Sequence, residues 1–332
     1  METINFKIAT TNLYRKISAI NFEQLPISNY NKNYINRLTP ALFYSLEIYT
    51  CCLQEGLSKC NKKTEDLIFI DYGSESGFLS MLAKEIGIGK VIYIDLNKNS
   101  AETVRLLQHE TEVGPDIILQ GDSNILAEWC KENKIKPDLL IATDVIEHIY
   151  NLSVFFQELI NINNQMEMIF TTASSPYNPY TKSRLRRFMQ RCETGRLAKP
   201  NYYAKRADYI KKKFPELSKK DIKRWAVRTR GLIYEDIHKA ISLNERPLLL
   251  DAYNTCNPET GNWADRILLI RDYQDLVTAY DYNVEVKKGF YNTIRPKQWK
   301  TALSLLANQL IKHSGKAGFV LAPFIFLSFS RK

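Results

Sequence analysis

What most constrains the fold of this 332-residue chain is a change of rhythm between residues 66 and 175. Short, uninterrupted apolar runs (Leu67–Asp71, Val91–Asp95, Ile117–Gln120, Leu139–Thr143 and Met168–Thr172) alternate there with longer stretches of helical spacing. Those stretches are Gly77–Ile86, Ser100–Glu112, Ile125–Lys134 and Leu152–Ile162. Apolar runs without polar alternation mark strands covered on both faces, as in parallel sheets whose crossover helices lie on each side. The pattern predicts an α/β fold with a doubly wound, mainly parallel sheet. Residues 1–65 form a helical lead, in which Thr39 as N-cap and Pro40 in the first turn predict a helix over Ala41–Tyr49. Residues 176–265 interrupt the rhythm with basic, helix-like sequence and a turn-rich loop at Asn254–Trp263. Within them, Ser218 to Asp221 reads as a capping box opening a helix toward Arg230, and Tyr234–Ile241 as another helix. Residues 266–332 return to strand-like runs, Tyr282–Val286 and Phe324–Phe329, around a helix at Thr301–Lys312.

The first strand runs straight into Asp71-Tyr72-Gly73-Ser74-Glu75-Ser76-Gly77. Glycines at such a turn permit positive φ and let a ligand approach the backbone, while the helix start offers free N–H donors. Open α/β sheets bind ligands at the carboxyl ends of their strands, where this turn sits. Asp95 ends the second strand, Asp122 and Ser123 follow the third, and Asp144 follows the fourth. An acid about twenty residues past the glycine turn is placed to hold a ribose diol. A pyrophosphate site needs three glycines as GxGxxG, which is lacking here, and Glu75 would repel a pyrophosphate. A nicotinamide-type Rossmann domain is thereby disfavoured.

These residues resemble motif I and the later motifs of the class I S-adenosylmethionine-dependent methyltransferases. The resemblance covers residues 66–175 well and the C-terminus loosely. It implies a Rossmann-like, seven-stranded, mainly parallel sheet with a helical insertion before the last β-hairpin. It further implies that Asp71, Gly73 and Gly77 surround the methionine part of S-adenosylmethionine, that Asp95 holds the ribose, and that Asp122, beside Ser123, meets the adenine amino group. One position departs: Glu75 stands at the middle glycine of DxGxGxG. A degenerate domain serving as a scaffold is the non-enzymatic alternative, and Glu75 is the feature that favours it.

The fourth strand leads into Thr143-Asp144-Val145-Ile146-Glu147-His148-Ile149. On a helical turn, Asp144, Glu147 and His148 share one face and form a candidate site for Mg²⁺ or Mn²⁺. The segment is similar to that of ubiquinone-type O-methyltransferases and of bacterial small-RNA 2′-O-methyltransferases, which implies metal-assisted O-methylation. Without a metal, His148 beside Glu147 is the first candidate general base, because imidazoles accept protons near neutral pH. The plain alternative gives Glu147 and His148 structural hydrogen bonds only.

The net charge of +10 is concentrated: Thr181–Arg230 holds eighteen Lys and Arg against four acids, a net +14. Such a segment attracts an anionic acceptor, although charge runs also mark solvated helix faces. Tyr177, Tyr180, Phe188, Tyr202, Tyr203, Tyr209, Phe214 and Trp225 are interleaved and offer stacking. Cations with aromatics fit an anionic glycan or lipid-linked glycan of a surface-polysaccharide pathway, or RNA, for which no recognisable binding module accompanies the domain. The first of these is favoured by a weak likeness of Thr229–Leu232 and Glu259–Trp263 to bacterial enzymes of such pathways. Six cysteines without CxxC spacing read as reduced and apolar, and no signal-like start or long apolar run appears, so a cytoplasmic protein is expected. The last residues, 322–332, predict a closing strand. Leu303, Leu305, Leu306, Leu310 and Ile311, with Lys300 and Lys312, also have the make-up of a helix that touches the inner face of a membrane.

Overall fold

A computed structural model describes residues 5–196, 200–247 and 251–332. Lys199 of the basic segment lies outside them. The chain forms two compact units: residues 1–145, 153–172 and 270–332, and residues 146–152 and 173–269.

The first unit is built on a seven-stranded sheet of order β3-β2-β1-β4-β5-β7-β6. Its strands are β1 (Ile68–Tyr72), β2 (Lys90–Asp95), β3 (Ile117–Gln120), β4 (Leu139–Thr143), β5 (Glu167–Thr172), β6 (Tyr282–Lys288) and β7 (Ile325–Arg331). The first five pair in parallel; β7 runs antiparallel to both β5 and β6. This is the doubly wound, mainly parallel sheet that the apolar runs predict, with the Rossmann-like, seven-stranded form and last β-hairpin that the resemblance implies. The strand order reverses between β1 and β4, which opens a crevice at their carboxyl ends.

Its helices are α1 (Phe6–Ser18), α2 (Asn29–Leu38), α3 (Leu42–Lys59), α4 (Phe78–Glu85), α5 (Lys98–Thr111), α6 (Ser123–Glu132), α7 (Leu152–Ile162), α12 (Ile270–Thr278), α13 (Gln298–His313) and α14 (Gly318–Leu321). Thr39–Ala41, expected to open the helix at Pro40, is a separate 3₁₀ turn, and α3 continues ten residues past Tyr49. Six consecutive residues of α4, Phe78–Ala83, are buried, Ser80 among them, so this helix lies inside the unit. Burying each large aliphatic side chain of this kind contributes about 1.5–3 kcal/mol.

The second unit holds α8 (Pro179–Thr194), α9 (Tyr202–Lys213), α10 (Lys219–Arg228) and α11 (Tyr234–Ser242). Ser218 caps α10 by accepting the Asp221 N–H, as the capping box predicts. Leu185, Met189 and Cys192 pack with Ala264 and Ile267, and Ile210, Phe214 and Trp225 pack with Ala226 and Ile237. Phe214 and Trp225 are thus core residues, not the exposed stacking platforms expected from their place in the basic segment. Arg206 is fully buried: its guanidinium donates to the Glu193 carboxylate and to Ala226 O at 2.9 Å. One cation of the basic segment is therefore a structural strut.

Candidate functional site

In the first unit the β1–α4 turn takes a left-handed backbone at alternate residues, Gly73 (φ 71°), Glu75 (φ 50°) and Gly77 (φ 68°). A Cβ at Gly77 would lie 2.7 Å from Val104 Cγ2, so both conformation and space demand glycine there. Glu75 adopts the conformation of the glycine it replaces. Its carboxylate accepts a 2.5 Å hydrogen bond from the Tyr30 hydroxyl on α2, and its carbonyl accepts one from Tyr93 at 2.9 Å.

Asp71, at the end of β1, is fully buried. Its Oδ2 accepts from Ser74 Oγ (2.6 Å), Ser80 N (2.8 Å) and Ser80 Oγ (2.6 Å), which ties the strand to the first turn of α4. Its Oδ1 is buried without a hydrogen-bond partner. Burial pushes the carboxyl up to about 6 against the opposing pull of those hydrogen bonds. Asp95, at the end of β2, is also buried; its Oδ2 accepts the Glu75 N–H (3.1 Å) and its Oδ1 the Asn97 N–H (2.8 Å). Burial raises this carboxyl as well. Each oxygen keeps a lone pair beyond the one it has used. Asp122 is exposed and caps α6 by accepting from Asn124 and Ile125, with Ser123 buried behind it.

This edge fits an S-adenosyl nucleoside. An orphaned acceptor on Asp71 suits an ammonium, the Asp95 carboxylate is pre-oriented for vicinal hydroxyls, and Asp122 can accept from an exocyclic amine.

Asp144 follows β4 with φ 54°, its N–H bonded to Thr171 O at 3.0 Å. The tyrosines around it were not legible as site residues. Burial raises the hydroxyls of Tyr34, Tyr44 and Tyr49 above their ordinary range, and the Asp144 charge adds to each. The signal available was Tyr30 and Tyr34, one helical turn apart on α2, yet the lead carries no apolar stripe strong enough to announce that it faces the strand ends.

The second unit holds a different cluster. Ile146–His148 is a single 3₁₀ turn. Glu147, His148 and Asp265 bring one ligand-type atom each within 4.8 Å of one another, the one such group among the described residues. The α-helical spacing expected to put Asp144 on one face with Glu147 and His148 does not form: Asp144 has a left-handed φ and Ile146–His148 is a 3₁₀ turn. Asp265, two residues past the turn-rich loop, joins Glu147 and His148 in that group. Trp263 N donates to His148 O (3.2 Å), Arg266 N to Glu147 O (3.1 Å), and Trp263 O pairs with His148 Nδ1 (2.8 Å). A carbonyl can only accept, so Nδ1 carries the proton and a neutral ring keeps its lone pair on Nε2. That nitrogen lies 3.9 Å from Asp265 Oδ1, too far for a hydrogen bond.

On α8–α10, Arg184, Arg187, Lys211, Lys212, Lys220 and Lys223 are among eleven exposed cations. Tyr177 and Tyr180 are exposed near the start of α8.

No protein-family signature and no curated protein matches the sequence. Among solved structures, the chain is similar to a SAM-dependent methyltransferase from Archaeoglobus fulgidus, at 11% identity and a TM-score of 0.41 over 86% of this chain and 94% of that one. It is also similar to the plantazolicin methyltransferase BpumL, in complex with a triazolic desmethylPZN analog and SAH, at 13% identity and a TM-score of 0.40 over 98% of both chains. A ribosomal protein L11 methylase from Lactobacillus delbrueckii subsp. bulgaricus is 23% identical over 37% of this chain and 58% of that one, with a TM-score of 0.28. At these values the likeness assigns no activity.

Proposed function

We propose that the chain is an S-adenosylmethionine-dependent O-methyltransferase acting on an anionic glycan or lipid-linked glycan. The observation that carries the cofactor reading is the buried, unpartnered Oδ1 of Asp71 beside a left-handed turn, with a second buried carboxylate at the end of the next strand. When bound, S-adenosylmethionine supplies an activated methyl group, so the protein's work is positioning. Asp71 Oδ1 would accept from the amino-acid ammonium, Asp95 would hold the ribose hydroxyls, and Asp122 would accept from the adenine amine. Gly73 and Gly77 let the ligand approach the backbone. In the neutral ring, whose Nδ1–H donates to Trp263 O, His148 Nε2 carries the lone pair and would take the proton of the acceptor hydroxyl.

The ligand-type spacing of Glu147, His148 and Asp265 supports a second reading, in which these three hold Mg²⁺ or Mn²⁺. Such a cation would lower the hydroxyl's pKa in place of the imidazole. A chelator separates the two: it abolishes turnover if the cation acts and leaves it intact if the imidazole does.

The exposed cations of α8–α10 and the exposed Tyr177 and Tyr180 favour an anionic, sugar-bearing acceptor, since stacking and charge act together on such ligands. The test is transfer of radiolabelled methyl from S-adenosylmethionine to isolated surface-glycan and RNA fractions. The expected result is label that survives nuclease and is released with methylated sugars. Label lost to nuclease would reassign the acceptor to RNA, and no transfer to either fraction would overturn the acceptor class.

A further inference from the structure

We propose that α13 is a docking helix that seats this protein on an anionic lipid bilayer. The helix is oriented against the usual rule, with its bulky apolar side chains outward. Trp299, Leu303, Leu306 and Leu310 recur at helical spacing and are 59%, 55%, 59% and 48% exposed. Leu305 on its flank and Val320 and Leu321 on α14 are exposed as well. The residues α13 buries are Ser304 and Ile311. Ile311, counted from sequence among the outward apolar residues, faces in, and Trp299 joins the stripe in its place.

Polar contacts fasten the inner side. Asn308 accepts the Tyr291 N–H at 2.7 Å and donates to Tyr291 O at 2.9 Å. Lys288 from β6 donates to Ile311 O at 2.5 Å and to Gly315 O at 3.2 Å, closing the C-terminal end. The helix thus keeps its place without burying its leucines, and the apolar stripe stays available to a partner.

Charge identifies that partner. Residues 289–321 carry Arg295, Lys297, Lys300, Lys312 and Lys316 and not one Asp or Glu. All five cations are exposed. A second copy seated on this face would set the cations against their own kind with no acid in the segment to neutralise them. An anionic lipid surface offers hydrocarbon to the stripe and phosphate to the rim, and each basic residue near such a surface contributes about 1 kcal/mol. Trp299 at the N-terminal end, with Lys300 Nζ 5.6 Å above its ring, suits the headgroup level. Among the described residues no helix is long and apolar enough to cross a membrane, so the contact is interfacial. The proposal rests on α13 and its flanks and does not depend on the reaction the chain catalyses.

The test is co-sedimentation of the full chain with vesicles of phosphatidylcholine alone and of phosphatidylcholine containing phosphatidylglycerol. Partitioning is expected to be at least about tenfold stronger on the anionic vesicles and to weaken with salt. The L303E/L306E double variant, altered at exposed positions and checked by circular dichroism, should lose about tenfold or more of that partitioning. K300E/K312E, which leaves the stripe intact, should lose the preference for anionic lipid. Partitioning unchanged in both variants, or no partitioning of the wild type, would overturn the proposal. So would a dimer in sedimentation velocity that L303E/L306E dissociates, which would give the face to a second copy.

Discussion

At the carboxyl edge of the sheet, Asp71 and Asp95 lie withdrawn from water behind backbone N–H and serine donors. On α8–α10, eleven cations stand in solvent. The two regions carry opposite charge, and they differ more deeply in how the charge is held. A buried carboxylate has one geometry, so its neighbours and its proton affinity are specific to that residue. An exposed lysine acts through the summed field, which salt screens and a neighbour can replace. Single substitutions should therefore tell strongly at the strand ends and weakly on the helices.

His148 tests that contrast from outside both regions, as a partly exposed residue with a fixed hydrogen bond. Its replacement by alanine should cut turnover by about 10²–10⁴-fold, the usual worth of a positioned acid or base, and leave cofactor affinity within about twofold. Full activity in that variant would remove it from the mechanism.

Asp95→Ala should weaken S-adenosylmethionine binding by about tenfold or more, as expected when hydrogen bonds to an ionised group are lost. Calorimetry that finds unchanged affinity would refute the ribose assignment.

Asp71 gives the contrast a pH dependence. Its folded pKa, about 6, lies above the ordinary carboxylate value of 3.8, so the folded state binds the proton more tightly than the unfolded state does. The stability associated with the protonated form is full below about pH 4 and is lost as the pH rises through 6, on the order of 3 kcal/mol. Asp71→Asn should flatten that slope in chemical denaturation. An ammonium beside Oδ1 favours the ionised carboxylate, so cofactor affinity should rise as the pH passes 6.

On the helices, Lys211→Glu with Lys212→Glu should raise the acceptor's KM only a few-fold, with kcat unchanged and the effect fading in salt. A large loss of kcat would mean that these lysines act as individuals. The smallest effect is expected at Glu75→Gly: the backbone already sits in the glycine conformation, so cofactor affinity should change by less than about threefold. A large change would make the Tyr30–Glu75 bond a functional contact.

The same difference explains what could be read from the residues. The strands were legible to within about two residues because continuous apolar runs such as Val91–Ile94 have few alternatives to a buried strand. The β1–α4 turn was legible because Gly73 and Gly77 meet a local need. The helix α2 was not: NYNKNYINRL has weak helical propensity, and tertiary bonds such as Tyr30 to Glu75 and Asn31 to Ser100 hold it in place. Asp265 was missed because its partners lie about 115 residues earlier and no local spacing encodes a contact of that range. In the basic segment composition revealed a charge without its geometry, so Phe214 and Trp225 read as stacking residues although they build the core, and the buried Arg206 could not be told from the exposed cations.

In the function proposed here, the carboxylates at the ends of β1 and β2 receive a sulfonium nucleoside and not a dinucleotide. Isothermal titration of the wild-type chain with S-adenosylmethionine and, separately, with NAD distinguishes the two ligands. Saturable one-site heat is expected with the first and none with the second. No heat with S-adenosylmethionine, or saturable binding of NAD, would contradict that function.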